Sequence, residues 1–218
     1  MIRVLLVDDQ RLVRAGLRML CEAAPDVLVV GEAEDGRRAV DLAGELRPDV
    51  ILMDLRMPLV DGITATGRIL AAHPATRVVA LTTFDDDDHL YPALAAGACG
   101  FLVKDAAPAE LLDGIRRAAG GDDPFSTSVL RRLVGRAVRA RNGEGERRPG
   151  PPADLTRRER EVLSLLGAGL SNGEIAERLH LGVTTVKTHV SSLMAKTGAT
   201  NRVRLAVLAA RSGVTPPR

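Results

Sequence analysis

Asp49-Val50-Ile51-Leu52-Met53-Asp54-Leu55-Arg56-Met57-Pro58 is an apolar run that carries one carboxylate, Asp54, to the end of a buried strand, with a turn opening just behind it. The pattern recurs along the first half of the chain. The run Ile2 to Val7 ends on Asp8 and Asp9, the run Arg77 to Leu81 on Thr82, and Phe101-Leu102-Val103 on Lys104. In a parallel sheet the carboxyl ends of the strands gather along one edge, where ligands bind. Three acids, a hydroxyl and an ammonium are therefore expected at one small site, a set suited to phosphate and divalent-metal chemistry.

Working outward, residues 1–120 alternate short apolar runs with amphipathic stretches. Strands are predicted at 2–7, 27–33, 50–54, 77–81 and 100–103, with helices between them at about 11–21, 36–46, 62–72, 87–97 and 108–119. Val13, Leu17 and Leu20 lie at helical spacing, as do Ala39, Leu42, Ala43 and Leu46. Repeated strand–helix units imply an α/β fold, a five-stranded parallel sheet covered on both faces. Pro92 falls inside the fourth predicted helix, so that helix is expected to start late or bend. Residues 121–152 read as a linker, with a basic helix near 126–140 and then a glycine-, proline- and charge-rich segment that has little to bury. From Leu155 to the end of a domain at 153–218 the pattern is purely helical. Thr156-Arg157-Arg158-Glu159 and Ser171-Asn172-Gly173-Glu174 read as capping boxes. Leu181-Gly182 marks a turn before a helix whose apolar face is Val183, Val186, Val190 and Leu193.

The formal net charge of +2 hides an asymmetry: residues 1–121 sum to −6 and residues 122–218 to +8. An acidic module is joined to one suited to polyanions. Cys21 and Cys99 lack metal-ligand spacing and read as core filling in a reducing compartment. The first apolar run is short and closed by acids, and no run reaches membrane-spanning length, so a soluble, cytoplasmic protein is expected. His73, His89, His180 and His189 share no ligand spacing, so no zinc is inferred. The acids Asp85 to Asp88 complement a helix dipole and face solvent.

Asp54 is ionised at neutral pH, since a free aspartate titrates near about 3.9. Three neighbouring carboxylates must protonate or bind a cation. Mg2+, held through carboxylates and water, meets that need. With Lys104 neutralising phosphoryl oxygens and Thr82 donating a hydrogen bond, Asp54 becomes a competent in-line nucleophile. Taken singly, an aspartate after a strand is a turn or cap residue and a lysine a solvated end. Their succession at strand ends, in order, favours a site.

These residues, with Met57-Pro58 and Asp61-Gly62 behind Asp54, resemble the receiver domain of a bacterial two-component response regulator across residues 1–120. The resemblance implies a flavodoxin-like fold, with Asp54 phosphorylated by a sensor histidine kinase. It implies Mg2+ bound by Asp9, Asp54 and the backbone carbonyl of Arg56, Asp8 acting through water, and Thr82 and Phe101 as a switch pair. Arg56 and Phe84 take the positions that influence phosphoryl loss, and their bulk suggests a sheltered site. Asp105 stands where many receivers carry proline.

The helical module fits a helix-turn-helix whose second helix enters the major groove. Lys187, Thr188 and Ser191 share the face opposite the valine stripe and suit base contacts. Thr184, Thr185, His189, Lys196 and Arg202 suit phosphates. The stretches Leu155 to Leu163, Ser171 to Ala176 and Thr185 to Val190 resemble the LuxR-type DNA-binding domain, over about 153–214. Gly182 replaces the usual serine cap, and Thr197 replaces a packing leucine, which is expected to loosen the helix end. The two resemblances together imply a NarL/LuxR-type regulator, dimeric when phosphorylated or on double-stranded DNA, with RNA polymerase as a further partner. Two other readings stay open: a receiver used only for protein contacts without phosphate, and a Mg2+-dependent phosphohydrolase. Against the second, Asp8-Asp9-Gln10 lacks the acid spacing of haloacid-dehalogenase-type phosphatases.

Overall fold

In the computed structural model, residues 1–82, 87–125, 129, 154–199 and 202–212 are described. The chain divides into two compact units, Met1–Ser126 and Thr127–Arg218. The first alternates β1 (Ile2–Val7), α1 (Arg11–Glu22), β2 (Val27–Ala33), α2 (Gly36–Leu46), β3 (Val50–Asp54), α3 (Gly62–Ala72), β4 (Arg77–Thr82), α4 (Asp87–Ala95), β5 (Gly100–Val103) and α5 (Pro108–Ala119). The strands form one parallel sheet in the order β2-β1-β3-β4-β5.

Alternation along the strands divides the core into two layers. Val4, Leu6, Val50, Leu52, Val79, Leu81 and Leu102 join Leu17 and Cys21 of α1 and Leu111 and Ile115 of α5. Leu5, Val7, Ile51, Met53 and Val78 join Ala39, Leu42 and Ala43 of α2 and Ala65 and Ile69 of α3. Each fully buried Leu, Ile or Val contributes roughly 1.5–3 kcal/mol. Two carboxylates start the helices of the second layer: Asp35 accepts from the Arg38 amide at 2.8 Å and Asp61 from the Thr64 amide at 2.8 Å.

Three expectations are refined. The fourth helix starts at Asp87 with Pro92 inside it, so no late start occurs. It ends at Ala95, short of 97, before Gly97 at φ +107°. The first unit runs past residue 120 because 122–125 is bonded back onto the sheet: the Phe101 amide donates to the Pro124 carbonyl at 2.8 Å, and Arg77 pairs with Asp123 at 2.8 Å. Phe84, Asp85, Asp86 and, apart from Val129, the 126–140 helix and the segment after it lie outside the described residues.

The second unit contains α6 (Arg157–Gly167), α7 (Asn172–Leu179), α8 (Val183–Thr197) and α9 (Arg202–Arg211) around Leu163, Leu166, Ile175, Val186, Leu193 and Leu205. Both capping boxes form, at Thr156/Glu159 and Ser171/Glu174. His180, exposed at φ +53°, caps α7 and turns the chain toward α8. Gly182 caps α8 with no side-chain bond. The Thr197 hydroxyl donates to Leu193 O at 2.7 Å and accepts from the Ala199 amide at 3.3 Å, at the last residue of α8. Among the described residues no helix is long and apolar enough to cross a membrane.

Candidate phosphoacceptor site and nucleic-acid interface

Register sets the site. Asp54 is opposite Leu81, so Thr82 lies one residue beyond it at the same sheet edge, and Thr82 is opposite Val103, one residue before Lys104. The Lys104 amide donates to Thr82 O at 2.9 Å, locking the two strand ends together. The Lys104 ammonium meets Asp8 Oδ2 at 2.7 Å and Asp54 Oδ2 at 2.9 Å. Asp8 and Thr82 are buried, as is Asp54 at 3 % exposure, while Asp9 is open to solvent. Carboxylate oxygens of Asp8, Asp9 and Asp54 lie within 4.8 Å of one another.

Burial raises the Asp54 carboxyl above the usual aspartate range; Lys104 opposes this, and the charge of Asp8 adds to it. Burial lowers the Lys104 pKa, but its bonds to Asp8 and Asp54 outweigh that and the net shift is upward. The Lys104 ammonium pairs with two of three clustered acids, and hard oxygen donors with excess negative charge are what a small divalent cation requires. The cluster can hold such an ion.

Gly62 fixes where Asp54 sits. Its amide donates to Leu55 O at 3.1 Å, and a Cβ there would stand 1.9 Å from the Asp54 carbonyl oxygen. The sequence pattern paired Asp61-Gly62 with Asp54, but only the packing explains the glycine. A cavity of about 570 Å³, lined by Leu55, Arg56, Met57, Asp61, Ile63, Thr64 and His89, opens beside the turn after Asp54. Arg56 is exposed, its amide donating to Asp54 Oδ1 at 3.3 Å. Phe101, by contrast, is wholly buried and stacks on Phe125 with ring centroids 5.8 Å apart. The sequence reading missed Phe125; its only signal is the scarcity of aromatic residues, three Phe and one Tyr.

In the second unit α8 presents Thr184, Thr185, Thr188 and Ser191 to solvent, with Lys187 and His189 half-buried. One assignment needs correction. Arg202 is 3 % exposed and donates to Asn172 Oδ1 at 2.6 Å and to the Leu170 carbonyl, so it holds the start of α7 rather than a phosphate. Lys196 is exposed, with its ammonium 2.9 Å from Glu159 Oε2 and 3.3 Å from Asp154 O, beside the bond that Ser192 Oγ donates to Glu159 Oε1 at 2.6 Å. Hydrogen bonds from Ser192, Lys196 and the Thr156 amide hold the Glu159 carboxyl down at about 2. Glu159 was read only as a cap; it also ties α6 to the far end of α8.

The family "Response regulator receiver domain" matches residues 4–116, and "Bacterial regulatory proteins, luxR family" matches 153–209. The fold and site thus define a receiver module joined to a LuxR-type DNA-binding module. The chain belongs to the response regulators, whose relatives act as transcriptional regulators. It is 43% identical to the transcriptional regulatory protein LiaR of Bacillus subtilis, over 97% of this chain and 98% of that one. It is 38% identical to the response regulator protein VraR of Staphylococcus aureus, over 95% and 96%. Among solved structures it resembles ChrA, a response regulator of a heme-sensing two-component system, at TM-score 0.54 and 37% identity over 96% of both chains. It also resembles RcsB, captured as two dimers bound to two parallel DNAs, at TM-score 0.56 and 28% identity over 97% and 98%.

Proposed function

We propose that this chain is a phosphorylation-controlled transcription factor in which Asp54 accepts a phosphoryl group from a sensor histidine kinase. One arrangement carries the reading: a buried Asp54 carboxylate 2.9 Å from Lys104, with Asp8 and Asp9 near enough to share a cation. In the transfer an Asp54 oxygen attacks the phosphorus of a phosphohistidine. The O–P bond forms as the P–N bond breaks, and the imidazole leaves with the electron pair. Lys104 balances the phosphoryl charge and the Thr82 hydroxyl donates to a phosphoryl oxygen. Attack of water on the same phosphorus returns the carboxylate and inorganic phosphate, so the chain's chemistry is confined to its own modification. Asp9, Asp54 and the backbone carbonyl of Arg56 would hold Mg2+, with Asp8 acting through water; when bound, the ion supplies positive charge for the phosphoryl oxygens.

Phosphorylation shifts the receiver (1–120) between two packings through the Thr82/Phe101 pair. Through the linker that follows Phe125 it controls dimerisation and DNA binding by residues 153–218. With α8 in the major groove, Lys187, Thr188 and Ser191 meet base edges, while Thr184, Thr185, His189 and Lys196 meet phosphates. The RcsB dimers on DNA support paired half-sites. Family membership supports RNA polymerase as a further partner and the cytoplasm as the compartment. The test is labelling by a small phosphodonor with Mg2+: wild type labels and Asp54→Asn does not. Undiminished labelling of the variant places the acceptor elsewhere.

A further inference from the structure

We propose that Phe125 is the relay through which the switch aromatic acts on the linker, a role that rests on the receiver reading above. Thr82 is opposite Val103, and Phe101, two residues back on β5, shares the face of Val103 by strand alternation. Thr82 and Phe101 therefore lie on one side of the sheet, where a phosphoryl group that draws in the hydroxyl alters the space beside the ring. Phe101 has no solvent to move into: it is 0 % exposed, and Phe125, itself 8 % exposed, lies on it at 5.8 Å with the planes inclined by 29°. The two residues are also joined as a parallel bridge, and the Phe101 amide donates to Pro124 O at 2.8 Å.

Backbone and ring thus move together. Gly100 permits this closeness, since a Cβ there would stand 2.3 Å from Pro124 O. The bonds of Arg77 to Asp122 O at 3.2 Å and Asp123 Oδ1 at 2.8 Å hold the preceding residues, so displacement of Phe101 is passed forward. Forward from Phe125 the first unit ends at Ser126 and the second starts at Thr127. A packed interior transmits such a shift because it has no void to absorb it.

The test uses the full chain with 4-fluorophenylalanine at its three phenylalanines, the fluorine resonances assigned by Phe→Leu variants. Reaction with phosphoramidate and Mg2+ should shift the Phe125 resonance in step with Asp54 labelling, and leave it in place in Asp54→Asn. Phe125→Ala should label at the wild-type rate yet lose about fivefold or more of the phosphorylation-induced gain in affinity for a duplex selected in vitro. Phe125→Leu, which keeps the apolar bulk, should retain that gain within about twofold. A stationary Phe125 resonance in labelled protein overturns the relay, as does a full gain in Phe125→Ala. Failure of wild-type Asp54 to label at all overturns the receiver reading, and the relay with it.

Discussion

Gly62→Ala tests whether the site is positioned by packing, because its added methyl has nowhere to go. The nearest atoms are backbone: Asp54 O at 1.9 Å, with Asp54 C and Leu55 Cα at 2.9 Å. Restoring ordinary contact requires about 1.5 Å of movement by the end of β3 or the start of α3. Overpacking of this kind costs about 1–3 kcal/mol, and about 4 °C of Tm accompanies each kcal/mol in a domain of this size. A displaced nucleophile loses about 100-fold in rate per ångström. Labelling of Asp54 by phosphoramidate with Mg2+ should therefore slow by at least that factor. Gly67→Ala, on the same helix with nothing within 4 Å of its Cβ, is the control. It should gain up to about 1 kcal/mol from helix propensity and label normally. Equal melting and equal labelling of the two variants would refute the idea that Gly62 sets the position of Asp54.

Further outcomes follow from the charges. Mg2+ should raise the melting temperature of wild type, by about 2.7 kcal/mol of stabilisation at a hundredfold excess over its Kd, and less so in Asp9→Asn; a chelator should abolish labelling, and labelling that survives it would exclude a metal-dependent transfer. Glu159 has its folded value depressed to about 2, so its contribution to stability is present above its ordinary value near 4.5 and disappears as pH falls from there toward 2. Hydrogen-exchange protection of α8 amides should fall across that window in wild type and be low and flat in Glu159→Gln; parallel profiles would mean its bonds add nothing. Arg202→Ala should destabilise the second unit by about 2–4 kcal/mol, leaving Asn172 and a buried carbonyl short of a partner. Unchanged melting with weaker DNA binding would return Arg202 to the phosphates. Lys187→Ala should relax discrimination at one base pair by about 1–3 kcal/mol in a binding-site selection, and unaltered specificity would move Lys187 to the backbone contacts.

Much of the molecule was legible because the signals are local. Strand ends at Asp54, Val103 and Val7 coincide with the switch from apolar to polar residues, and both capping boxes declare themselves within four residues. A proline-interrupted helix was harder, since tertiary packing tolerates the amide that Pro92 lacks.

The order of residues alone determined the parallel sheet, the acidic edge and the two modules, because alternation and capping act between neighbours in the chain. Only the tertiary structure decided which side chains take distant partners. Arg202 reaches back to Leu170 and Asn172, Lys196 to Glu159, and Phe125 to Phe101. Each looked like a surface or linker residue in sequence. A distant partner gave each its role, and such a partner cannot be read from a residue's neighbours in the chain.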